Sequence, residues 1–350
     1  MRTWYRQMDG LRFIAITMVL IEHFIYQYGK IIHAGYFGVD LFFVLSGFLI
    51  TEGLLLNREE DMTQKKIITN FYIKRFLRIF PIYYLVLFIA WFTYPEFSNV
   101  APWAFTYTVN YYEFFTGEYP PNAFSHLWSL SVEEQFYIFW PFLIIFIRSR
   151  KAVLFSILLV MTASLLYFIM YTNYVMLQAR MFSLCFGGLL AYIKLYHSGS
   201  YSSNISRNSL IILVSAIILY FIQHNIALSV FSLMLVYLAS NNAFTGIMKK
   251  MLEHPAVLYI GKVSYGIYLY HKPLGILITI YLFDPLWKSL DFSFFPPLEF
   301  NSWIVKFPLF YGAAVGVAYL SYRFIEAPFL KLKKRLAADK QVSRPVEAGN

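Results

Sequence analysis

The segment MDGLRFIAITMVLIEHF (8–24) is apolar enough to enter a membrane, yet it carries Asp9, Arg12, Glu22 and His23. A charged side chain at the bilayer centre costs about 2.5–3.5 kcal/mol on insertion scales, so such groups usually face a cavity and have work to do there. Arg12 and His23 are eleven helical steps apart. That is about three turns plus roughly 20°, and about 16 Å along the axis, so both side chains project from one face. A fixed cation at one end of that face and a proton acceptor active near neutral pH at the other would suit an anionic substrate and a hydroxyl to be deprotonated. The plainer reading is that each side chain snorkels to its own interface. Glu22 points about 100° away from His23 and is not automatically its partner.

Further ionisable residues recur in apolar surroundings. Asp40, in GYFGVDLFFVLSGFLIT (35–51), could orient the His23 imidazole or cap the start of its own helix, and the sequence favours neither. Gly38 and Gly47 in the same segment would permit close helix contact. Arg75 and Arg78, in FYIKRFLRIFPIYYL (71–85), share a helical face and suit either phosphate oxygens or simple anchoring at the membrane edge. In FSHLWSLSVEEQFYIFWP (124–141), Ser131 followed three residues later by Glu134 fits a capping box. That leaves Glu133, His126 and Ser129 unexplained, with Glu133 a catalytic candidate. His271, in GKVSYGIYLYHKPL (261–274), is a substrate-facing or packing histidine, and Pro273 beside it would kink the helix. Gly312 and Gly316 form a GxxxG pattern that predicts a helix contact.

These residues must be held by a membrane scaffold. The 350-residue chain is 59% hydrophobic and 21% aromatic with only 14% charged residues, and its mean hydropathy is +0.55. That composition defines an all-α, polytopic transmembrane helical bundle and excludes a soluble domain. The basic residues sit scattered at segment ends, so the net charge of +10 reflects membrane topology rather than a nucleic-acid surface. A single cysteine, Cys185, excludes an intramolecular disulfide and a cysteine metal cluster, and no metal is expected.

Apolar runs of about 20 residues predict about ten spans, at 8–28, 36–56, 79–94, 127–147, 152–171, 180–196, 209–223, 226–240, 256–283 and 302–324. The distribution of Lys and Arg over the loops places both termini in the cytoplasm. The stretches 95–126 and 284–301 are rich in aromatics and proline, which suits an interfacial belt or the stacking of sugar rings. Residues 1–335 read as one transmembrane domain, followed by a polar, disordered cytoplasmic tail at 336–350.

Six segments, in this order, resemble the acyltransferase-3 family of integral membrane O-acyltransferases. They are MDGLR with its Arg12 to His23 spacing, GYFGVDLFFVLSGFLIT, RFLRIFPIYY, HLWSLSVEEQFYIFWP, SYGIYLYHKPL and IEAPFLKL (325–332). Met8, Phe13 and Glu22 depart from the family pattern. The resemblance implies a ten-helix enzyme of a bacterial plasma or inner membrane. It takes an acyl group, usually acetyl, from cytoplasmic acyl-CoA and delivers it to a hydroxyl of a cell-surface or exported polysaccharide, a glycan or glycolipid of the cell envelope. The family's first-span arginine and histidine carry over to Arg12 and His23, and its RxxR pair to Arg75 and Arg78. Because the chain ends soon after its tenth span, it resembles the stand-alone type, for which direct transfer is expected. A transporter or flippase of glycan precursors is the competing class, and inverted repeats or paired broken helices would mark it.

Overall fold

A computed structural model describes residues 5–25, 33–60, 62–171, 174–197, 223–290 and 302–331. The described residues contain helices and connecting turns and no strand, as a bilayer demands of a chain that must satisfy its backbone hydrogen bonds within each segment. In chain order the main helices are α1 (Arg6–Phe24), α2 (Ala34–Glu59), α3 (Gln64–Thr93), α4 (Phe97–Phe105), α5 (Tyr112–Thr116), α6 (Leu127–Phe146) and α7 (Arg150–Tyr171). They continue as α8 (Leu177–Tyr196), α9 (His224–Ser240), α10 (Gly246–Leu252), α11 (Pro255–Lys262), α12 (Ser264–Ile278), α13 (Asp284–Lys288) and α14 (Trp303–Ser321).

Five helical stretches among the described residues are long and apolar enough to cross a membrane. They are Ala34–Glu59, Gln64–Thr93, Arg150–Tyr171, Ser264–Lys288 and Trp303–Lys331. Helices α1, α6 and α8 are 19 or 20 residues long. Helices α1 and α6 carry polar and ionisable residues singled out above, and α8 carries Arg180 and Lys194, which lowers their apolarity. All but the last residue of the expected span at 209–223 and the whole tail at 336–350 lie outside the described residues, as does most of 284–301.

Helix α2 is the most buried of the five and packs against α1, α6, α8 and α9. Small residues make this possible, since lipid supplies little hydrophobic drive and helices gain by close backbone approach. A Cβ at Gly38 would come within 2.5 Å of the Ala15 carbonyl oxygen of α1, and one at Gly47 would collide with the Leu184 carbonyl of α8. By contrast, a Cβ at Gly312 or Gly316 would meet no atom of the described residues. The GxxxG contact expected there is absent among them. Helix α7 lies at the periphery, with Phe155, Leu159, Leu166 and Met170 exposed, a face suited to lipid.

Three further expectations are corrected. The third span is no short helix at 79–94. It starts at Gln64, where Thr63 caps it by accepting from the Lys66 amide at 3.4 Å, and it runs through Pro81. The stretch 95–126 contains α4, α5 and a short 3-10 turn folded back on the bundle. The ninth span is broken: α11 ends at Lys262 and α12 starts at Ser264. Beyond Ile278 the chain widens into a π turn over Thr279–Phe283, a form that frequently sits at functional sites.

Candidate active site

Two cavities open along α1, one near each end. The first, of about 370 Å³, is lined by Arg12, Lys74, Arg75 and Arg78, together with Glu52, Glu133, Ser129, Tyr137 and Tyr268. The second, of about 420 Å³, is lined by His23, Phe24, Asn122, Lys272, Thr279, Lys306 and Phe310. The expected common face of Arg12 and His23 therefore exists, and it serves two chambers rather than one.

In the first cavity, Arg12 pairs with Asp9 one turn earlier, at 2.5 Å. Arg75 is held from the side by α6. Its Nε lies 3.5 Å from Glu134 Oε1, and its guanidinium sits 3.1 Å from the centre of the Tyr137 ring. Glu134 and Tyr137 are three residues apart, so one face of α6 grips the planar cation from two sides. Arg78 forms no hydrogen bond or ion pair with any described residue. One arginine is thus pre-positioned and its neighbour is left available to an anion.

The capping box is not formed. Helix α6 starts at Leu127 with His126 at its N-cap, so Ser131 lies a full turn inside and donates to the Leu127 carbonyl at 3.0 Å. Glu134 is consequently the partner of Arg75. Glu133 accepts from Ser46 Oγ of α2 at 2.7 Å and faces the cationic cavity.

Asp40 neither orients His23 nor caps α2. It lies two turns into that helix, fully buried, in an ion pair with the equally buried Arg180 of α8. Ser183 Oγ donates to it at 3.5 Å. A charge taken out of water needs a partner in contact, and the one it found lies 140 residues away. Glu22 also has a defined task, since its Oε2 accepts from the Gly35 amide at 2.6 Å. It ties the end of α1 to the first turn of α2, where the helix has an unsatisfied N–H to offer.

At the second cavity, His23 Nδ1 lies 2.9 Å from His271 Nε2, with the rings stacked at 4.9 Å. His271 is fully buried, and its Nδ1 lies 2.6 Å from the carbonyl oxygen of Tyr268. His126 packs 4.8 Å from His271, ring to ring. Pro273 has no N–H to give the carbonyl of Leu269, four residues before it. His126 Nε2 approaches that carbonyl at 3.4 Å instead. Lys272 Nζ, at the cavity wall, donates to Ser125 Oγ at 2.8 Å and to Asn122 Oδ1 at 3.1 Å.

Tyr268 stands between the chambers. Its hydroxyl pairs with Ser129 Oγ at 2.6 Å and donates to the His126 carbonyl at 3.1 Å, beside the first cavity. Its carbonyl holds His271 and, through it, His23 in the second. Tyr268, Lys272, Lys74 and Tyr137 are site residues that sequence reasoning missed. The signal for Tyr268 was its position three residues before His271 in YLYH. No group of three or more His, Cys, Asp or Glu among the described residues could hold a metal.

The described helices enclose a cationic chamber and a histidine chamber, and residues 5–323 match the acyltransferase-3 family, described as an acyltransferase domain. The chain belongs to that family. It is 29% identical to the peptidoglycan O-acetyltransferase OatA of Listeria monocytogenes, over 94% of this chain and 56% of that protein. It is 28% identical to a putative O-acetyltransferase of Staphylococcus aureus strain COL, over 93% of this chain and 57% of that protein. The O-acetyltransferase OatA of Staphylococcus aureus strain NCTC 8325 is 27% identical over the same shares. The chain thus spans a little over half the length of these curated relatives. No solved structure matches it.

Proposed function

We propose that this protein is a bacterial membrane O-acyltransferase. It moves an acetyl group from cytoplasmic acyl-CoA to a hydroxyl of an envelope polysaccharide, in the first instance peptidoglycan, the substrate that the name of the Listeria relative gives. One observation carries the reading: Arg12 and His23 share a face of α1, yet one lines a chamber with three further cations and the other a chamber with an uncommitted imidazole nitrogen. With both termini in the cytoplasm, the cationic chamber receives the nucleotide phosphates at Arg75, Arg78 and Lys74, since arginine forks match phosphate oxygens. The acyl arm then extends past Arg12 toward His23. The exposed Phe114, Phe115 and Tyr119 near the opposite end offer faces on which sugar rings stack.

A thioester is already activated, so the protein's main task is to take a proton and steady a developing oxyanion. The acceptor hydroxyl gives its proton to His23 Nε2 as its oxygen attacks the thioester carbonyl. The C–O bond forms, the C–S bond breaks, and the departing thiolate takes the proton from His23. Products are the O-acyl glycan and the free thiol of CoA.

Mass spectrometry of envelope polysaccharide from a strain lacking this gene, complemented with wild type or with His23→Ala, tests the proposal. The acyl mass returns only with wild type. Its return with His23→Ala at normal expression would reject His23 as the base. An unchanged polysaccharide in the deletion strain, with defective export of the glycan, would favour the transporter reading.

A further inference from the structure

The chain of contacts behind His23 assigns a proton to each ring nitrogen. We propose that His271 is the positioning residue that holds His23 in its Nδ1–H tautomer, so that Nε2 presents a lone pair to the second cavity. The proposal rests on the reading of His23 as the base.

A carbonyl oxygen only accepts. The 2.6 Å approach of His271 Nδ1 to the Tyr268 carbonyl therefore requires the proton on that nitrogen, because two lone pairs would otherwise face each other in a fully buried place. A neutral imidazole with Nδ1–H carries its lone pair on Nε2. That nitrogen meets His23 Nδ1 at 2.9 Å, so the bond forms only if His23 donates. His23 then has one nitrogen left, Nε2, without a proton, on a side chain that lines the cavity. Reversing any link would break the one behind it.

The anchor of this series is well fixed. Tyr268 is pinned at its far end by Ser129 and by the His126 carbonyl. The neighbouring carbonyl of Leu269, freed by Pro273, is occupied by His126. The carbonyl of Pro273 itself accepts from the Tyr94 hydroxyl at 2.5 Å. This stretch of α12 thus offers His271 one orientation. The arrangement has the logic of a histidine oriented by a carboxylate, but with a neutral orienter in place of the acid. When His23 takes the hydroxyl proton it becomes an imidazolium, and its Nδ1–H bond to His271 becomes charge-assisted and stronger. The positive charge is stabilised by a neutral partner at the moment it appears.

Substitutions separate positioning from packing. In His271→Gln, the side-chain oxygen reaches the place of Nε2 and still accepts from His23. His271→Leu fills similar volume and accepts nothing. With purified full-length protein in lipid nanodiscs and acetyl-CoA as donor, His271→Gln should keep kcat within about tenfold. His271→Leu should lose about a hundredfold or more, since a wrong tautomer alone can cost about 10⁴ in a triad. KM for acetyl-CoA should move less than about twofold in both, the donor chamber being elsewhere. Nitrogen-15 NMR of histidine-labelled wild type, with His23 assigned through His23→Gln, reads the tautomer directly and needs no variant at position 271 to fold. A dominant Nδ1–H form of His23 supports the proposal. An Nε2–H form, or full kcat in His271→Leu, overturns it. Wild-type protein with the expected tautomer but without acyl transfer would sustain the assignment of the protons and instead reject the acyltransferase reading.

Discussion

Arg12 and His23 lie on one face of a single helix and open into two different cavities. About 16 Å of helix axis separates them, and Tyr268 of α12 links the two sites, its hydroxyl meeting Ser129 of α6 beside the first cavity and its carbonyl meeting His271 behind the second. A donor with a long flexible arm could keep its charged end at one side while its reactive end reaches the other. The two arginines of α3 and the two histidines are therefore expected to fail in different ways when altered.

Arg78→Ala should weaken binding of CoA by about 10- to 100-fold, the worth of one or two charge-assisted hydrogen bonds. The protein's thermal stability should fall less than with Arg75→Ala, because Arg78 forms no hydrogen bond or ion pair with a described residue and meets the charges of Glu326 and Asp9 only at longer range. Arg75→Ala should weaken binding and also lower stability, as Glu134 would be left buried without its cation. Titration calorimetry with CoA, beside thermal unfolding in detergent, distinguishes the two, and equal stability losses would refute the difference in their roles.

Asp40→Asn should destabilise the bundle by about 3–5 kcal/mol, the cost of leaving a buried charge without its partner. Arg180→Met should do the same. The double variant should recover most of the loss, since two neutral side chains of fitting volume leave no charge unpaired. Thermal unfolding of the four proteins checks this, and an additive double variant would show that the pair is not coupled.

Gly47→Val should cost about 1–3 kcal/mol by overpacking α2 against the Leu184 carbonyl. Gly312→Ala and Gly316→Ala should be neutral or slightly stabilising, because alanine suits a helix better and meets nothing there. Expression level and melting temperature in detergent read both. A loss at Gly312 equal to that at Gly47 would point to a helix contact at that site after all.

Glu22→Gln should retain acyl transfer within about threefold, as a side-chain oxygen still accepts from Gly35 at the strength of a neutral hydrogen bond. Glu22→Leu should lose about 1–3 kcal/mol of stability through the orphaned amide. Acetylation of the envelope polysaccharide in complemented cells and melting curves of the purified variants report on each. Abolished transfer with Glu22→Gln at normal stability would place the carboxylate in the chemistry.

Much of this protein is legible along the chain. Composition alone makes it a helical membrane protein, helical periodicity puts Arg12 with His23 and Arg75 with Arg78, and six ordered segments point to the family that residues 5–323 match. Those are local properties: period, charge and residue order survive without knowing what packs on what. Partnership is not local. Asp40 looked equally apt as a cap or as an orienter of His23, and only packing of α2 on α8 gave it Arg180. Glu134 reads as a capping residue beside Ser131, but α6 begins at Leu127, a turn before that serine, and its packing on α3 gives Glu134 to Arg75. Gly47 and Gly312 read alike in sequence and differ wholly in surroundings. His23 and His271 are 248 positions apart, and which nitrogen of each carries a proton depends on the Tyr268 carbonyl behind them. A lone pair can be aimed only by neighbours fixed in three dimensions, and tertiary structure alone decides those.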